Sequence, residues 1–504
     1  MRDGISIFRS AAWNWAGMIF DSAAAFLVMP FLIRQLGEAR YGTWVLIGSL
    51  SSYFGMLDLG VRGSVGRFIA FHRARADRDA IKATLSTALG ISILAGLATL
   101  VVSLGLPAMF FRLFEIPADQ TDQVRVALLL IGCNMALSFP LSLFDGILWG
   151  YQRFDAINAV EVPVAVIRTC LTFVVIDTGY GLAGLAALTL ILLLVSGVSK
   201  AIAAFFLAPG LSIRPAYVTR TAAVELVSYG VSNLLINVAR MIRGEVSPAL
   251  IGSLVNLPSV TLYAVGKRFT DYVERLVFAT TGVLTPLTAS IHARGRDDRQ
   301  RILFLVGGRY CSLMAIFLCG GMILLGRSLI GLWLGPRVLD SAALLTILAL
   351  GELIPLSQSV SATILLGMAR HRIIARFAFA EIFLVAVLAS VLVRPFGLMG
   401  VVVSIAVAGA ICRGIVLTIY ACRFLEVPLS DYLREAVWPP LSLAAAALFV
   451  SKIAIDVIEP TTWGLFLSHC VFYTVIFAAC SFTMVSAEQR ALVVEGVRRR
   501  FFPA

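Results

Sequence analysis

The sequence predicts an all-α integral membrane protein with about 14 transmembrane helices, and three observations lead to this fold class. Hydrophobic residues make up 59% and charged residues 14% of the 504 positions, whereas soluble domains carry about 25% charged residues. Apolar runs of at least about 18 residues, each long enough to cross about 30 Å of hydrocarbon, recur along the whole chain. The polar intervals between them are mostly shorter than about 15 residues, so no soluble domain is expected.

The predicted spans follow one another from the first residues to the last. They cover 8–33, 43–66, 83–111, 123–149, 156–176, 182–208, 222–245, 258–292, 302–326, 341–368, 377–393, 400–422, 436–456 and 463–484. A count of about 12 results if the last pair does not cross the membrane.

A weak internal parallel predicts how the spans are grouped. Asn14 and Asp21 lie seven residues apart in the first span, and Asn233 and Arg240 show the same spacing in the seventh. Six spans per half would give a parallel repeat of two lobes. We therefore predict an N-terminal lobe at 1–208, a C-terminal lobe at 209–424, and two extra helices with a cytoplasmic tail at 425–504.

Lysine and arginine placement predicts the orientation. One set of alternate intervals, together with both tails, holds roughly 23 cations, and the other set holds about six. Because cytoplasmic loops carry the excess of Lys and Arg, both termini are expected in the cytoplasm. The same rule accounts for the net charge of +12, so the basic composition does not indicate nucleic-acid binding.

The sequence also disfavours several classes of chemistry. The eight cysteines form no CxxC pair and the four histidines show no ligand spacing, so we expect neither a disulfide framework nor a metal site. No HExxH, P-loop or GxSxG motif lies at a membrane edge, which argues against an enzyme or a transport ATPase. Asp21 interrupts the first apolar run, so the N-terminus is not a convincing cleavable signal.

Five cations inside or beside two adjacent predicted spans are the main functional signal. A charge at the bilayer centre costs about 2.5–3.5 kcal/mol on insertion scales, so such residues should face a watery cavity or a partner charge. A basic cavity would suit an anionic cargo. The five cations are Arg240, Arg243, Lys267, Arg268 and Arg275.

Polar residues at helical spacing accompany these cations. Asn233 and Asn237 share a face with Arg240, and Tyr263 shares one with Lys267, so all three polar residues are candidate cargo ligands. The asparagines could instead join helices by hydrogen bonds, and Asp271 could simply pair with Arg268 or Arg275. Candidates for ion or proton coupling, or for counter-ions, are Asp21, Asp58, Asp145, Glu161, Asp271 and Glu274.

One of these acidic residues has a simpler interpretation, and two further acids are weaker candidates. Asp58 lies four residues from Arg62, so the two could neutralise each other. Glu352 and Glu381 look isolated in their spans and rank below the other candidates for a functional role.

Several short motifs resemble those of one transporter family. Leu36-Gly37 and Tyr41-Gly42 match an LG-x-x-x-YG turn after the first span, and 57–60 is an LDLG element. Later, 150–154 (GYQRF) and 263–269 (YAVGKRF) resemble the family's turn after span 4 and its span 8. The family comprises the O-antigen type polysaccharide-biosynthesis flippases of the multidrug/oligosaccharidyl-lipid/polysaccharide exporter superfamily.

The resemblance implies a two-lobed transporter with a central cavity. It would move an undecaprenyl-diphosphate-linked oligosaccharide from the cytoplasmic to the periplasmic leaflet of the bacterial inner membrane by alternating access, for surface polysaccharide synthesis. The cations would neutralise the diphosphate, and Asn233, Asn237 and Tyr263 would contact sugars. No cofactor is expected apart from coupling H⁺ or Na⁺. The expected partners are the lipid-linked glycan, membrane lipids and other polysaccharide-assembly proteins.

Three alternatives stay open at this point. A multidrug/cation antiporter of the same fold should have an acidic cavity, which the cations of spans 7 and 8 oppose. A peptidoglycan-precursor (lipid II) flippase shares the span count and a basic cavity. A membrane glycan polymerase or ligase should carry a long periplasmic loop, and the sequence shows none.

Overall fold

A computed structural model describes the backbone of most of the chain. The described residues are 2–54, 61–207, 211–282, 284–294, 297–368 and 370–482; the side chains of 2–22, 53–54, 61–62, 231–245, 286, 293, 297 and 371 lie outside this description. Within these ranges the chain forms helices joined by turns and short loops, without strands. The predicted all-α fold class is confirmed.

The chain divides into two compact units, Met1–Thr261 and Leu262–Ala504. The boundary falls inside helix α8, Leu257–Gly282. The predicted lobes, which end at 208 and 424, were defined by counting membrane spans, whereas these two units are defined by contacts within the structure. The division into lobes stays a prediction. The helices of unit 1 before α8 are α1 (Arg2–Phe54), α2 (Val61–Ala74), α3 (Arg78–Leu113), α4 (Thr121–Gly150), α5 (Phe154–Asp177), α6 (Gly181–Leu207) and α7 (Arg220–Leu254).

Helix α4 is the centre of unit 1. It packs against α2, α3 and α6, while α5 packs against α6 and α1. Glycine permits the closest of these approaches: a Cβ at Gly96 of α3 would lie 2.5 Å from the carbonyl oxygen of Ala136 in α4. Small residues at such crossings let membrane helices gain packing where no hydrophobic force drives them together.

The predicted turn after the first span is confirmed at Gly37. This glycine has φ +78° inside α1, a conformation that L side chains rarely adopt, so the helix breaks there. Five residues later, a Cβ at Gly42 would overlap the carbonyl group of Leu257. Thr261 Oγ1 donates to the Glu38 carbonyl at 2.6 Å, which fixes this turn against the start of α8. The motif therefore serves a turn and a close backbone approach.

Unit 2 contains more irregular helices than unit 1. Its helices after α8 are α9 (Leu284–Ala293), α10 (Asp297–Leu334), α11 (Ser341–Ser357), α12 (Ser359–Gly367), α13 (His371–Gly409), α14 (Leu417–Phe424), α15 (Leu429–Tyr432), α16 (Trp438–Val457) and α17 (Trp463–Phe482). Two π-helices, Ala410–Val416 and Leu433–Val437, join α13 to α14 and α15 to α16.

One predicted span of unit 2 is interrupted, and the predicted separation of two others is seen at a glycine. The predicted span 341–368 bends by 41° between α11 and α12, at Gln358. Predicted spans 377–393 and 400–422 are separated by Gly397, whose φ is +54° inside α13. The two C-terminal helices α16 and α17 pack on α10, where Tyr473 donates to the Phe317 carbonyl at 2.7 Å.

The helices are suited to a bilayer. Among the described residues, eight helices are long and apolar enough to cross a membrane, or nine with the bent pair α11–α12. One of the eight, Arg372–Phe424, contains the Gly397 break and covers two predicted spans. Large apolar side chains such as Leu94, Val101 and Leu104 are more than half exposed on α3, as expected for a lipid-facing surface. The predicted count of about 14 is consistent with this multi-pass protein.

Candidate functional site

The predicted cargo-binding face of span 7 lies on a continuous helix, α7, whose first turn is capped by Thr219. The side chains of Asn233, Asn237, Arg240 and Arg243 lie outside the described residues, so their roles stay predictions. The same holds for the Asp21 side chain and for the whole of Asp58.

The cation Lys267 of α8 is already paired inside unit 2. Its Nζ lies 2.6 Å from Asp271 Oδ1 and 3.8 Å from Glu274 Oε2. Asp271 thus pairs with the lysine four residues before it, and not with Arg268 or Arg275 as the sequence had suggested. Two carboxylates around one ammonium group make Lys267 a weak candidate for binding an additional anion.

The other two cations of α8 have different surroundings. Arg268 is half-buried and Arg275 is exposed, and among the described side chains neither has a carboxylate partner. Tyr263 is 1% exposed and therefore belongs to the core in this state. Phe269 packs edge-on against Trp333, with ring centroids 5.3 Å apart, so this stretch of α8 contacts α10. Of the predicted α8 ligands, Arg268 and Arg275 fit an anion best.

A buried arginine in unit 2 binds two carboxylates at once. Arg413 Nη1 and Nη2 donate to Glu352 at 2.9 and 2.8 Å, and Nε donates to both oxygens of Glu381 at 3.0 and 3.1 Å. The three side chains are only 15%, 10% and 3% exposed, in that order. Charge-assisted bidentate bonds of this kind are among the strongest polar contacts in proteins.

This cluster corrects one prediction. Glu352 and Glu381 are not isolated, since α11, α13 and the first π-helix bring both to Arg413. Sequence analysis missed Arg413, although an arginine in the middle of the apolar run 400–422 was a signal that a partner must exist. Charges extend further through the unit, because Lys267 also interacts electrostatically with Glu352 and Arg413 with Glu274.

A second cluster, partly buried, occupies unit 1. Lys200 of α6 contacts Asp145 Oδ1 at 2.8 Å and forms a short hydrogen bond with Glu161 Oε1. Ser196 Oγ also donates to Glu161, at 3.3 Å, and Arg168 lies close enough to interact with the same carboxylate. Asp145 and Glu161, predicted as coupling residues or counter-ions, thus share one cation that the sequence analysis overlooked.

The GYQRF stretch forms a compact junction between α4 and α5. A Cβ at Gly150 would lie 2.8 Å from Ile69, so only glycine permits this contact with α2. Arg153 binds Asp155 through two hydrogen bonds of 2.9 and 3.0 Å. Arg73 donates to the Tyr151 carbonyl and lies 4.9 Å from the centre of that ring. These contacts order the turn between α4 and α5, and they hold Arg73 and Arg153 in defined positions.

The charged groups of the described helices form ion pairs inside the units. In the part of the chain that the structure describes, no group of three or more His, Cys, Asp or Glu side chains could hold a metal ion. What the described helices carry instead are two ion clusters and, on α8, two arginines without a carboxylate partner.

Comparison with known proteins gives a family. Residues 75–343 match the family described as polysaccharide biosynthesis protein. A putative O-antigen transporter of Shigella flexneri is 20% identical over 79% of this chain and 94% of its own length. An uncharacterized membrane protein, EpsK of Bacillus subtilis (strain 168), is 22% identical over 93% of this chain and 94% of its own.

Solved structures share the fold. The lipid II flippase MurJ in an inward closed conformation superposes with a TM-score of 0.72 at 15% identity, covering 96% of this chain and 100% of that one. An inward-facing multidrug resistance transporter of the MATE family also reaches 0.72, at 13% identity over 80% of this chain and 94% of its own. Because both transporter classes fit equally well, the fold does not distinguish between their cargoes.

Proposed function

This chain belongs to the polysaccharide biosynthesis protein family, and from that premise we propose that it is a flippase for a lipid-linked oligosaccharide. The cargo would be an undecaprenyl-diphosphate-linked repeat unit that crosses to the periplasmic leaflet for O-antigen, capsule or exopolysaccharide assembly. The relative named a putative O-antigen transporter supports this assignment, since it is similar over most of both chains. The protein is a transporter and not an enzyme.

The observation that carries the proposal is the concentration of cations on α7 and α8, within the family match. A diphosphate bears charges that arginine binds with a fork of donors, and such charge-assisted bonds are stronger in a site that excludes water. Lys267 is held by Asp271 and Glu274, so Arg240, Arg243, Arg268 and Arg275 are the residues we assign to the phosphates. Asn233, Asn237 and, after a rearrangement of its buried ring, Tyr263 would contact sugars.

Transport would proceed by alternating access, with the two halves of the protein rocking about the bound headgroup. The polyprenyl tail can stay in lipid throughout, because only the charged headgroup needs protein contacts. For energy coupling we propose H⁺ or Na⁺ acting at Asp271 and Glu274, the two acids that share Lys267 on the cargo-binding helix. Asp145 and Glu161 would serve as counter-ions of Lys200.

We propose the bacterial inner membrane as the location, with both termini in the cytoplasm. The excess of cations on one set of intervals supports this orientation. The intervals 209–221 and 293–301, which precede the seventh and ninth predicted spans, would then lie in the cytoplasm, where the lipid-linked glycan is made.

The proposal predicts a loss of transport in Arg240→Ala and Arg243→Ala. Each change removes charge-assisted bonds of about 1.5–3 kcal/mol, so surface polysaccharide should fall by about tenfold or more in a flippase-null strain complemented with the variant. Polysaccharide is measured by gel or lectin staining, and protein by immunoblot of the membrane fraction.

Arg125→Ala is the matched control. Arg125 is an exposed arginine of α4 whose partner Asp122 lies 3.8 Å away, so its removal should leave polysaccharide unchanged. Wild-type polysaccharide in both Arg240→Ala and Arg243→Ala, at normal protein levels, would contradict the role of the α7 cations.

The same strains separate the alternatives. Rescue of a lipid II flippase-depleted strain, without rescue of the polysaccharide strain, would assign the cargo to peptidoglycan precursors. Efflux of cationic dyes, without either rescue, would indicate a multidrug antiporter. A strain that lacks only this chain tests the third alternative. Accumulation of unpolymerised glycan outside its inner membrane would indicate a polymerase or ligase.

A further inference from the structure

We propose that the chain contains a duplicated ion clasp, in which Lys200 and Arg413 occupy equivalent positions. An ion clasp is defined here as a cation on one helix that bridges acids on two helices earlier in the chain. The first clasp is Asp145, Glu161 and Lys200; the second is Glu352, Glu381 and Arg413. Each cation is a positioning residue that holds the helix bearing it and the two acid-bearing helices together.

The helices that carry the two clasps correspond in order and in packing. In unit 1 the acids lie on α4 and α5 and the cation on α6; in unit 2 they lie on α11, α13 and the first π-helix. The helix that bears the first acid packs against the long helix before it in both units: α4 packs on α3, and α11 packs on α10. The same helix also packs against the helix that bears the cation: α4 on α6, and α11 on the first π-helix.

The charges also lie at similar depths in the two hairpins. Glu161 precedes the end of α5 at Asp177 by 16 residues, and Lys200 follows the start of α6 at Gly181 by 19. Glu381 and Arg413 each lie 16 residues from Gly397. Gly181 and Gly397 have almost equal φ angles, +56° and +54°. At a rise of about 1.5 Å per residue, both clasps lie about 24–29 Å from their turns.

Three charges on three helices at one level are difficult to explain by chance. An ionised side chain within an apolar helix is penalised unless partners compensate it, and removing one partner strands the others. A clasp therefore favours a single packing of its three helices, with the acids facing the cation. The sequence repeat suggested by Asn14 and Asn233 is weak, whereas this repeat joins six charged residues in the same order.

The two clasps differ in the cation, and the geometry explains why. Arg413 donates four hydrogen bonds in fixed directions to two almost fully buried carboxylates. Lys200 binds as a point charge, and Glu161 is 44% exposed, so water can supplement its bonds. Lys200→Arg should therefore be tolerated, while Arg413→Lys should lose donors that nothing replaces.

The experiment combines charge removal with charge exchange in the full-length protein in detergent. Lys200→Met and Arg413→Met should each lower the midpoint of thermal unfolding by about 10 °C. The exchanges Lys200→Asp with Asp145→Lys, and Arg413→Glu with Glu352→Arg, should recover at least half of that shift. Lys452→Met, which removes an exposed lysine paired with Asp456, should shift the midpoint by less than about 2 °C.

The outcomes decide the proposal. Recovery by both exchanges, together with tolerance of Lys200→Arg and loss in Arg413→Lys, supports it, because packing alone would not be restored by exchanging charges. Failure of both exchanges to fold or to recover overturns the clasps. Recovery in only one unit overturns their equivalence. Equal behaviour of Lys200→Arg and Arg413→Lys overturns the assigned difference between a point-charge and a directional cation.

Transport gives a second readout, and only this part rests on the proposed function. If each clasp keeps its unit rigid during alternating access, the exchange variants should restore polysaccharide in the flippase-null strain along with stability. A wild-type chain that restores no polysaccharide would contradict the proposed function while leaving the unfolding results valid. Restored stability without restored transport, in a strain that the wild type complements, would overturn the role of the clasps in transport.

Discussion

The ion clasps of the two units bring one cation and two acids together on different backbones. In unit 1 the clasp residues lie on the continuous helices α4, α5 and α6, and a lysine joins them. In unit 2 they lie beside a bend at Gln358 and on a π-helix, and an arginine joins them. The ammonium group of a flexible lysine side chain can reach two carboxylates from a regular helix. A planar guanidinium instead needs both carboxylates to lie along its fixed donor directions. Backbone irregularity thus accompanies the more directional cation.

The largest expected difference between the units is in coupling energy. A double-mutant cycle of Arg413→Ala and Glu352→Ala should give an interaction free energy near the upper end of about 0.5–3 kcal/mol, since the pair is buried and bidentate. The cycle of Lys200→Ala and Asp145→Ala should fall in the lower half of that range. Reversible unfolding in mixed micelles measures both. Equal values would remove the distinction between a directional and a point-charge clasp.

Packing should also distinguish the units, by a smaller amount. A Cβ at Gly351 would overlap Ala406 and lie 2.6 Å from its Cα, so Gly351→Ala must move the backbone of α13 at a cost of about 1–3 kcal/mol. A Cβ at Gly197 of α6 would meet the side chain of Leu141 at 2.7 Å, and a leucine can adopt another rotamer. Gly197→Ala should thus cost clearly less in the same unfolding assay. The reverse order would show that unit 2 is the more adaptable one.

The turns should behave alike, which provides the internal control for both comparisons. Gly397 has φ +54° and no heavy atom within 4 Å of an added Cβ, so Gly397→Ala tests backbone strain alone. Gly179 has φ +84° and is equally open. Each alanine should cost about 1–3 kcal/mol, because a positive φ strains any residue that carries a Cβ. If one substitution is neutral while the other is not, the two hairpins do not turn in equivalent ways.

Local signals in the sequence were sufficient for the helices and for the turn at Gly37. Hydropathy located most spans to within a few residues, and the Leu36-Gly37 motif marked a real break in α1. The bend at Gln358 was missed although two signals were present: Pro355 lies one turn before it, and Ser357, Gln358 and Ser359 interrupt the apolar pattern. The spacing of four residues is sufficient for the Lys267–Asp271 pair. The same helical spacing rule also allows Arg268 and Arg275 as partners of Asp271, so spacing could not select among the three cations.

The ion clusters could not be derived in the same way. Arg413 lies 61 residues from Glu352 and 32 from Glu381, so their contact depends on how the helices pack. The sequence identified Asp145 and Glu161 as unusual, but it gave no means of choosing Lys200 as their partner. Sequence analysis of a membrane protein therefore finds charges that need partners more readily than it finds the partners.

The separation between Glu352 and Arg413 also has a consequence for biosynthesis. At about 5–20 residues per second, the ribosome adds Arg413 roughly 3–12 s after Glu352. During that interval the acid of α11 has emerged without Arg413, and its electrostatic interaction with Lys267 does not replace the two guanidinium bonds. The helix α11 would therefore enter lipid with an incompletely compensated charge. We therefore expect α11 to wait beside the insertion machinery until α13 and the π-helix arrive, so that the three helices enter the bilayer as one group.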